Sequence, residues 1–402
     1  MTLFASRRAF SVGGIGSALA CAMPGAFSSA WAQATSPLVA PTDAALDAAV
    51  GAQMRSRQIA GVAVAVVRNG QAVLARAWGD AKLAGGANSV AEAAKPETLF
   101  FIDSTTKQFT AAAIMLLVQE GRMTVDDLVK LHLPGAPKSW QGMRIRHLLS
   151  HTAGLARDVR PYAPIAEQNC KLQTVLGPLF KLTPQSVPGA QFLYSNAGYN
   201  ALAAVIERVT GDCYFTFLNN RIFGPLGLQR TALAVYATQA QPGHARGYQA
   251  GAQGAALQSV ALVTQPKTAT ALAAQTPHAL GGGGIASNVL ELAEWESALR
   301  GDAILTSETK AQMWTPTTLT SGQISNYGFG WEIEPTAAGR LVHHNGGGFG
   351  FNTAIYRYTD TGLSVIVLTN TEAASQPGTR SQNNGDAIAQ SVAALFDARL
   401  AR

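Results

Sequence analysis

Three short groups of residues in this 402-residue chain carry reactive side chains at spacings that chemistry can use. The first is Ser104-Thr105-Thr106-Lys107. Residues three apart share one face of a helix, so the Lys107 amine can take the Ser104 hydroxyl proton, provided burial lowers the amine's affinity for protons. A helix start also offers backbone N–H groups to negative charge forming on a substrate. Taken alone, the four-residue pattern arises often by chance and fits a serine cap beside a solvated lysine equally well. The second group is Tyr194-Ser195-Asn196, shortly after Pro188-Gly189. A tyrosine hydroxyl can pass a proton to a leaving group and an asparagine amide can hold a carbonyl, although a core aromatic beside an Asn cap would read the same way. The third is His343-His344-Asn345-Gly346-Gly347. There, glycine on a strand lets a substrate backbone approach closely and leaves a free N–H for an oxyanion hole.

The elements that must position these groups are legible from periodicity. A helix is expected from Asp43 to Ile59, with Asp43 as its cap and Leu46, Val50 and Met54 at near-helical spacing. Two strands, Gly61 to Val67 and Gln71 to Trp78, flank the hairpin signal Asn69-Gly70. An extended segment from Thr98 to Ile102 meets a helix running from Ser104 to Gly121. Helical patterns then dominate: Ile145 to His151, Asn196 to Val209, Asp212 to Phe223 and, after the tetraglycine Gly281 to Gly284, Val289 to Leu299. Strands return at Gly328 to Ile333, Leu341 to Asn345, Asn352 to Tyr358 and Leu363 to Leu368, before a final helix from about Asp386 to Arg402. Strands at both ends with helices between them imply an α+β fold: one antiparallel sheet completed by the two chain ends, flanked by helices, with an inserted mainly helical domain. The expected division places 33–103 and 286–402 in the sheet part and 104–285 in the helical part.

The order and spacing of the three groups resemble the serine β-lactamase and penicillin-binding-protein superfamily. The likeness extends to Lys107 through Ala111, Arg146 through Leu155 and Tyr327 through Trp331, and so to nearly all of the chain beyond residue 32. It implies an acyl-enzyme on Ser104, proton relay through Lys107 and Tyr194, substrate orientation by Asn196, and an oxyanion hole from the backbone N–H groups of Ser104 and Gly347. Tyr-x-Asn sets the chain with class C β-lactamases, related DD-peptidases and carboxylesterases. Class C β-lactamases carry Lys-Thr-Gly as the third element, where this chain reads His344-Asn345-Gly346. A histidine of ordinary pKa, mostly neutral at pH 7, and an asparagine make a weaker carboxylate clamp than Lys with Thr. The expectation is therefore an esterase or D-Ala-D-Ala peptidase-like activity ahead of a β-lactamase, with a non-catalytic peptidoglycan-binding homologue as the contrasting class.

Composition limits the alternatives. Apolar residues make up 47% and charged residues 13%, which excludes a disordered chain. The formal charge of +6 comes from scattered Lys and Arg without a basic block, which gives nucleic-acid binding little support. The first 32 residues read as a twin-arginine export signal, with Arg7-Arg8, a weakly apolar stretch and the cleavage pattern Ala30-Trp31-Ala32. That implies a periplasmic or secreted protein. Cys21 offers a minor lipoprotein alternative, and Cys170 with Cys213 would permit a disulfide in an exported chain. No cofactor or metal is called for: His147 and His151 stand four apart but lack the following Glu of a zinc motif, and the tetraglycine lacks the Lys-Ser/Thr of a phosphate loop. There is no G-x-S-x-G elbow, which argues against an α/β-hydrolase fold.

Overall fold

The computed structural model describes residues 41–85, 90–158, 173–233, 243–250, 256–260, 280–373 and 383–401. The expected export signal, Cys21 and Cys170 lie outside them. The hairpin strands β1 (Gly61–Arg68) and β2 (Gln71–Lys82) form with Asn69 and Gly70 both at positive φ, 50° and 80°, the conformation that matches hairpin twist. A short edge strand β3 (Glu92–Ala93) follows. Near the other end of the chain come β4 (Glu332–Thr336), β5 (Gly339–Gly348), β6 (Phe351–Tyr358) and β7 (Leu363–Thr369). All seven join in one antiparallel sheet ordered β4-β5-β6-β7-β1-β2-β3, so the two ends of the chain meet where β7 pairs with β1.

Alternation along β1 divides the interior into two cores. Val62, Val64 and Val66 face α1 (Asp43–Arg57) and the C-terminal helix, with Leu46, Val50, Ile388 and Val392 in the same cluster. Ala63, Ala65 and Val67 face the helical body. Because β1 is covered on both sides, it reads as a continuous apolar run rather than an alternating one. The helical body includes α2 (Lys107–Gln119), α3 (Ile145–Leu149), α4 (Asn196–Thr210) and α5 (Val289–Ala298); α6 (Asn384–Phe396) lies with α1 on the opposite face. The fold is the expected α+β arrangement.

Several boundaries differ from expectation for local reasons. Thr42, not Asp43, caps α1, its hydroxyl accepting from the Ala45 N–H. The expected helix through His151 stops at Leu149, and His151 adopts φ 58°. Strand β4 starts four residues after Gly328, because Gly328 and Gly330 are used for close packing: a Cβ at Gly330 would lie 2.9 Å from the Lys107 carbonyl oxygen. Pro335 is tolerated in β4 because that strand is a sheet edge. The last helix ends at Phe396 rather than continuing to the terminus, and Asp397 caps a short turn instead. Among the described residues no helix is long and apolar enough to cross a membrane.

Candidate active site

Ser104 stands where a short strand turns into a helix. Phe100 and Phe101 pair with Ser287 and Ala286, and the Ile102 N–H donates to the Ile285 carbonyl, which fixes the chain up to that point. Asp103 then takes φ 43°, in the left-handed region that Asp enters at less cost than most residues, and a tight turn over Asp103–Thr106 delivers the chain into α2. Strand β5 presses on the same segment. A Cβ at Gly346 would lie 2.2 Å from the Ile102 carbonyl oxygen, and that oxygen also accepts from the Thr353 hydroxyl at 3.1 Å. Gly346 is therefore the residue that lets the third sequence group come against the first.

Lys107 is fully buried beneath Ser104. Its Nζ donates to Ser104 Oγ at 3.2 Å, Asn196 Oδ1 at 2.7 Å and the Gly282 carbonyl at 2.5 Å. The rings of Tyr194 and Tyr199 lie 4.6 and 5.5 Å away. Burial depresses the Lys107 pKa to about 7, opposed in part by the Asp103 carboxylate. Burial likewise pushes Asp103 up to about 7 against the attraction of Lys107. The two titrate as a pair, so neither value belongs to one residue alone. The Tyr194 hydroxyl hydrogen-bonds Ser104, and burial drives its pKa far above the usual phenol range, so it carries its proton at all ordinary pH.

The Tyr194–Asn196 segment is held by contacts that its own residue types do not announce. His151 Nδ1 accepts from the Ser195 N–H at 3.0 Å, and its ring packs 4.2 Å from Tyr194 and 4.6 Å from Tyr327. Ser195 caps α4, accepting from the Gly198 N–H, and donates to the Ala156 carbonyl. The Asn196 amide is engaged at both ends, by Lys107 and by Asp158 Oδ1 at 2.9 Å. His147 serves elsewhere, its Nδ1 accepting from the Arg144 N–H at the start of α3, so the two histidines do not converge.

On β5 the expectation for His344 is corrected. The side chain is 1% exposed, its Nε2 accepts from the Tyr327 hydroxyl at 2.9 Å, and its Nδ1 donates to the Asn345 carbonyl at 2.6 Å. Burial, and then the Lys107 charge, lower its pKa to about 3. His344 is thus a fixed neutral imidazole that orients Tyr327, and it does not titrate near pH 6.5. Asn345 donates to Asp386 Oδ2 at 2.7 Å, while the Gly346 carbonyl accepts from Asn383. A cleft of about 780 Å³ opens over Ser104, with Tyr194, His344, Asn345 and Gly347 in its lining. Among the described residues Arg157 is the one permanent cation in that lining, against two acids, Glu332 and Glu372.

The site thus gathers Ser104, Lys107, Tyr194 and Asn196 around one buried amine and brings His344, Asn345 and Gly347 to the cleft, with Gly346 behind them as packing. Asp103, His151 and the Gly282 carbonyl were not assigned to this site from sequence. Their signals existed only as parts of other patterns, the residue before the serine, the end of the expected Ile145–His151 helix and the tetraglycine.

A buried serine–lysine pair beneath a cleft, on this arrangement of antiparallel sheet and helices, places the chain in the β-lactamase and penicillin-binding-protein class. The Beta-lactamase family model matches residues 46–388, and the chain belongs to that family. It is 31% identical over 284 residues to Penicillin-binding protein 4* of Bacillus subtilis (strain 168), a match covering 69% of this chain and 62% of the relative. It is 29% identical over 187 residues to Protein flp of Staphylococcus aureus (strain NCTC 8325 / PS 47), covering 44% of this chain and 36% of that protein. The chain thus spans less than two thirds of the length of these relatives. The octameric penicillin-binding protein homologue from Pyrococcus abyssi superposes with a TM-score of 0.70 at 25% identity, over 88% of this chain and 77% of that one.

Proposed function

We propose that the protein is an exported hydrolase that forms an acyl-enzyme on Ser104 from an ester or amide, with esterase or D-Ala-D-Ala peptidase-like activity ahead of β-lactamase activity. The observation that carries the reading is the buried Lys107 amine, 3.2 Å from Ser104 Oγ and depressed to about pKa 7. Near neutral pH a large share of such amines are unprotonated, so Lys107 accepts the Ser104 proton as the serine oxygen bonds to the substrate carbonyl carbon. Negative charge on the carbonyl oxygen is met by the backbone N–H groups of Ser104 and Gly347. Tyr194, always protonated, gives its proton to the leaving group and regains one from Lys107. Water then attacks the acyl-enzyme by the reverse relay and releases the acid. Asn196 holds Lys107 through its amide oxygen and is itself fixed by Asp158, so it positions the base.

Substrate preference follows from the cleft charges. A carboxylate-bearing substrate would face Glu332 and Glu372 against the single cation Arg157, and neutral His344 adds no second one. Neutral esters and amides avoid this cost. The export part of the reading rests on residues 1–32 and leaves 33–402 as the mature hydrolase, with 33–103 and 286–402 its sheet part and 104–285 its mainly helical part.

The test is covalent labelling by a fluorophosphonate and by a fluorescent penicillin, followed by a panel of p-nitrophenyl esters, nitrocefin and D-Ala-D-Ala peptides. Wild type should label at Ser104 and turn over neutral esters fastest, and Ser104→Ala should do neither while keeping its circular-dichroism spectrum. Efficient nitrocefin turnover would overturn the substrate order, and absence of labelling would point to a binding homologue.

A further inference from the structure

Outside the Ser104 relay, a second cluster of chemically capable side chains sits at the β4 edge of the sheet. Glu332 and Glu334 are two apart on β4 and so project from one face. His343 on β5 is the direct register partner of Glu332, which puts its imidazole on that same face. One ligand atom from each of the three lies within 4.8 Å of the other two. The carboxylates are partly open to solvent, whereas His343 is 6% exposed.

His343 itself is the anomaly. Neither Nδ1 nor Nε2 has a hydrogen-bond partner; the nearest acid oxygen, Glu334 Oε1, is 3.7 Å from Nε2, beyond hydrogen-bond reach. The Tyr356 ring lies 5.0 Å away, and Asp386 is close enough to interact with the imidazole electrostatically. A nearly buried imidazole with both nitrogens unsatisfied is costly. One positive ion between the three side chains would give one of those nitrogens a partner and bridge it to the carboxylates.

We propose that Glu332, Glu334 and His343 bind a divalent transition-metal cation, of which Zn²⁺ is the first candidate. One imidazole nitrogen and two carboxylate oxygens are a donor set suited to Zn²⁺, with water filling the remaining positions. Mg²⁺ and Ca²⁺, which prefer all-oxygen shells, are poorer fits. The ion would tie β4 to β5 beside the cleft that Glu332 also lines. The role is separate from the relay at Lys107.

Isothermal titration of the chelator-treated protein with ZnCl₂, with metal content read by plasma mass spectrometry, tests this. The expected result is one tightly bound equivalent and, at about 100 times Kd, a rise in Tm of roughly 3 °C. Glu334→Gln and His343→Gln should each weaken Zn²⁺ binding by at least tenfold with the circular-dichroism spectrum retained. Glu334→Gln keeps the test open if His343→Gln does not fold, because Glu334 is 40% exposed. The proposal is overturned by the absence of saturable Zn²⁺ binding, by unchanged affinity in Glu334→Gln, or by equal binding of Mg²⁺. Equal binding of Mg²⁺ would mark a carboxylate surface in which the imidazole takes no part.

Discussion

Replacing Asp103 by Asn isolates the charge that controls the proposed base. The substitution is nearly isosteric, and Asn accepts the left-handed backbone at 103 as readily as Asp does. A solvated lysine with pKa 10.5 is neutral in about one molecule in 3,000 at pH 7, whereas Lys107, near 7, is neutral in about half. Asp103 is the largest influence holding the Lys107 pKa up against burial, so its removal must lower that pKa further. Taking about one pH unit, the low end for an adjacent opposite charge, the neutral fraction at pH 7 rises from about one half toward about nine tenths, whereas at pH 5 wild-type Asp103 is already protonated and the two proteins differ little. The kcat/KM for a neutral p-nitrophenyl ester should then increase by up to about twofold at pH 7 and stay unchanged at pH 8.5, with the acid limb displaced downward. Stability gives a second readout. The Asp103 pKa is raised from 3.8 to about 7, so the carboxyl favours the folded state when protonated and that contribution is lost as pH rises through about 7. Asp103→Asn should therefore raise Tm at pH 8 and show a shrinking difference toward pH 4. An acid limb that stays in place or moves upward would refute the electrostatic reasoning. Loss of rate at every pH would assign the proton to Asp103 itself.

Three other perturbations probe separate parts of the molecule. Gly346→Ala would place a methyl group 2.2 Å from the Ile102 carbonyl oxygen and push β5 off the nucleophile segment. It should cost about 1–3 kcal/mol in urea unfolding and at least tenfold in kcat, and normal activity would show that the close approach is dispensable. Arg357→Met removes the partner of Glu296, an ion pair at 2.8 Å with the Glu296 side chain 0% exposed, and the stranded carboxylate should destabilise the fold by about 3–5 kcal/mol. A loss under about 1 kcal/mol would mean that water reaches Glu296. In the export reading, changing both Arg7 and Arg8 to Lys should leave unprocessed precursor in the cytoplasm, and normal processing in fractionated cells would refute it.

The serine, lysine, tyrosine and asparagine were legible because the chemistry restricts residue type at each position, and the spacing from Ser104 to Lys107 is set by one helical turn. The strands were legible because burial on both faces forces a run such as Gly61 to Val67 to be apolar throughout. What escaped depends on partners distant in the chain. The neutrality of His344 comes from Tyr327, the Asn345 carbonyl and complete burial, none of which a histidine in a glycine-rich run reveals. The departure of His151 from its helix follows from its contacts with Ser195 and the tyrosines around it. The late start of β4 reflects glycines spent on approach to α2, which look in sequence like ordinary strand residues.

The pairing of β1 with β7 joins Val62 to Thr369, residues roughly 300 positions apart, and so sets a timetable for the growing polypeptide. Until the last strands leave the ribosome, β1 has β2 on one side and a bare valine-rich edge on the other, the kind of edge that recruits strands from neighbouring chains. Helix α6, synthesised later still, closes over α1 and the same apolar face. A chain released before β7 is made would carry Ser104, Lys107 and Tyr194 in full and yet lack the strand that seals β1. Such fragments should aggregate, and production of the folded protein should be more sensitive to premature termination near its end than to changes in the loops between.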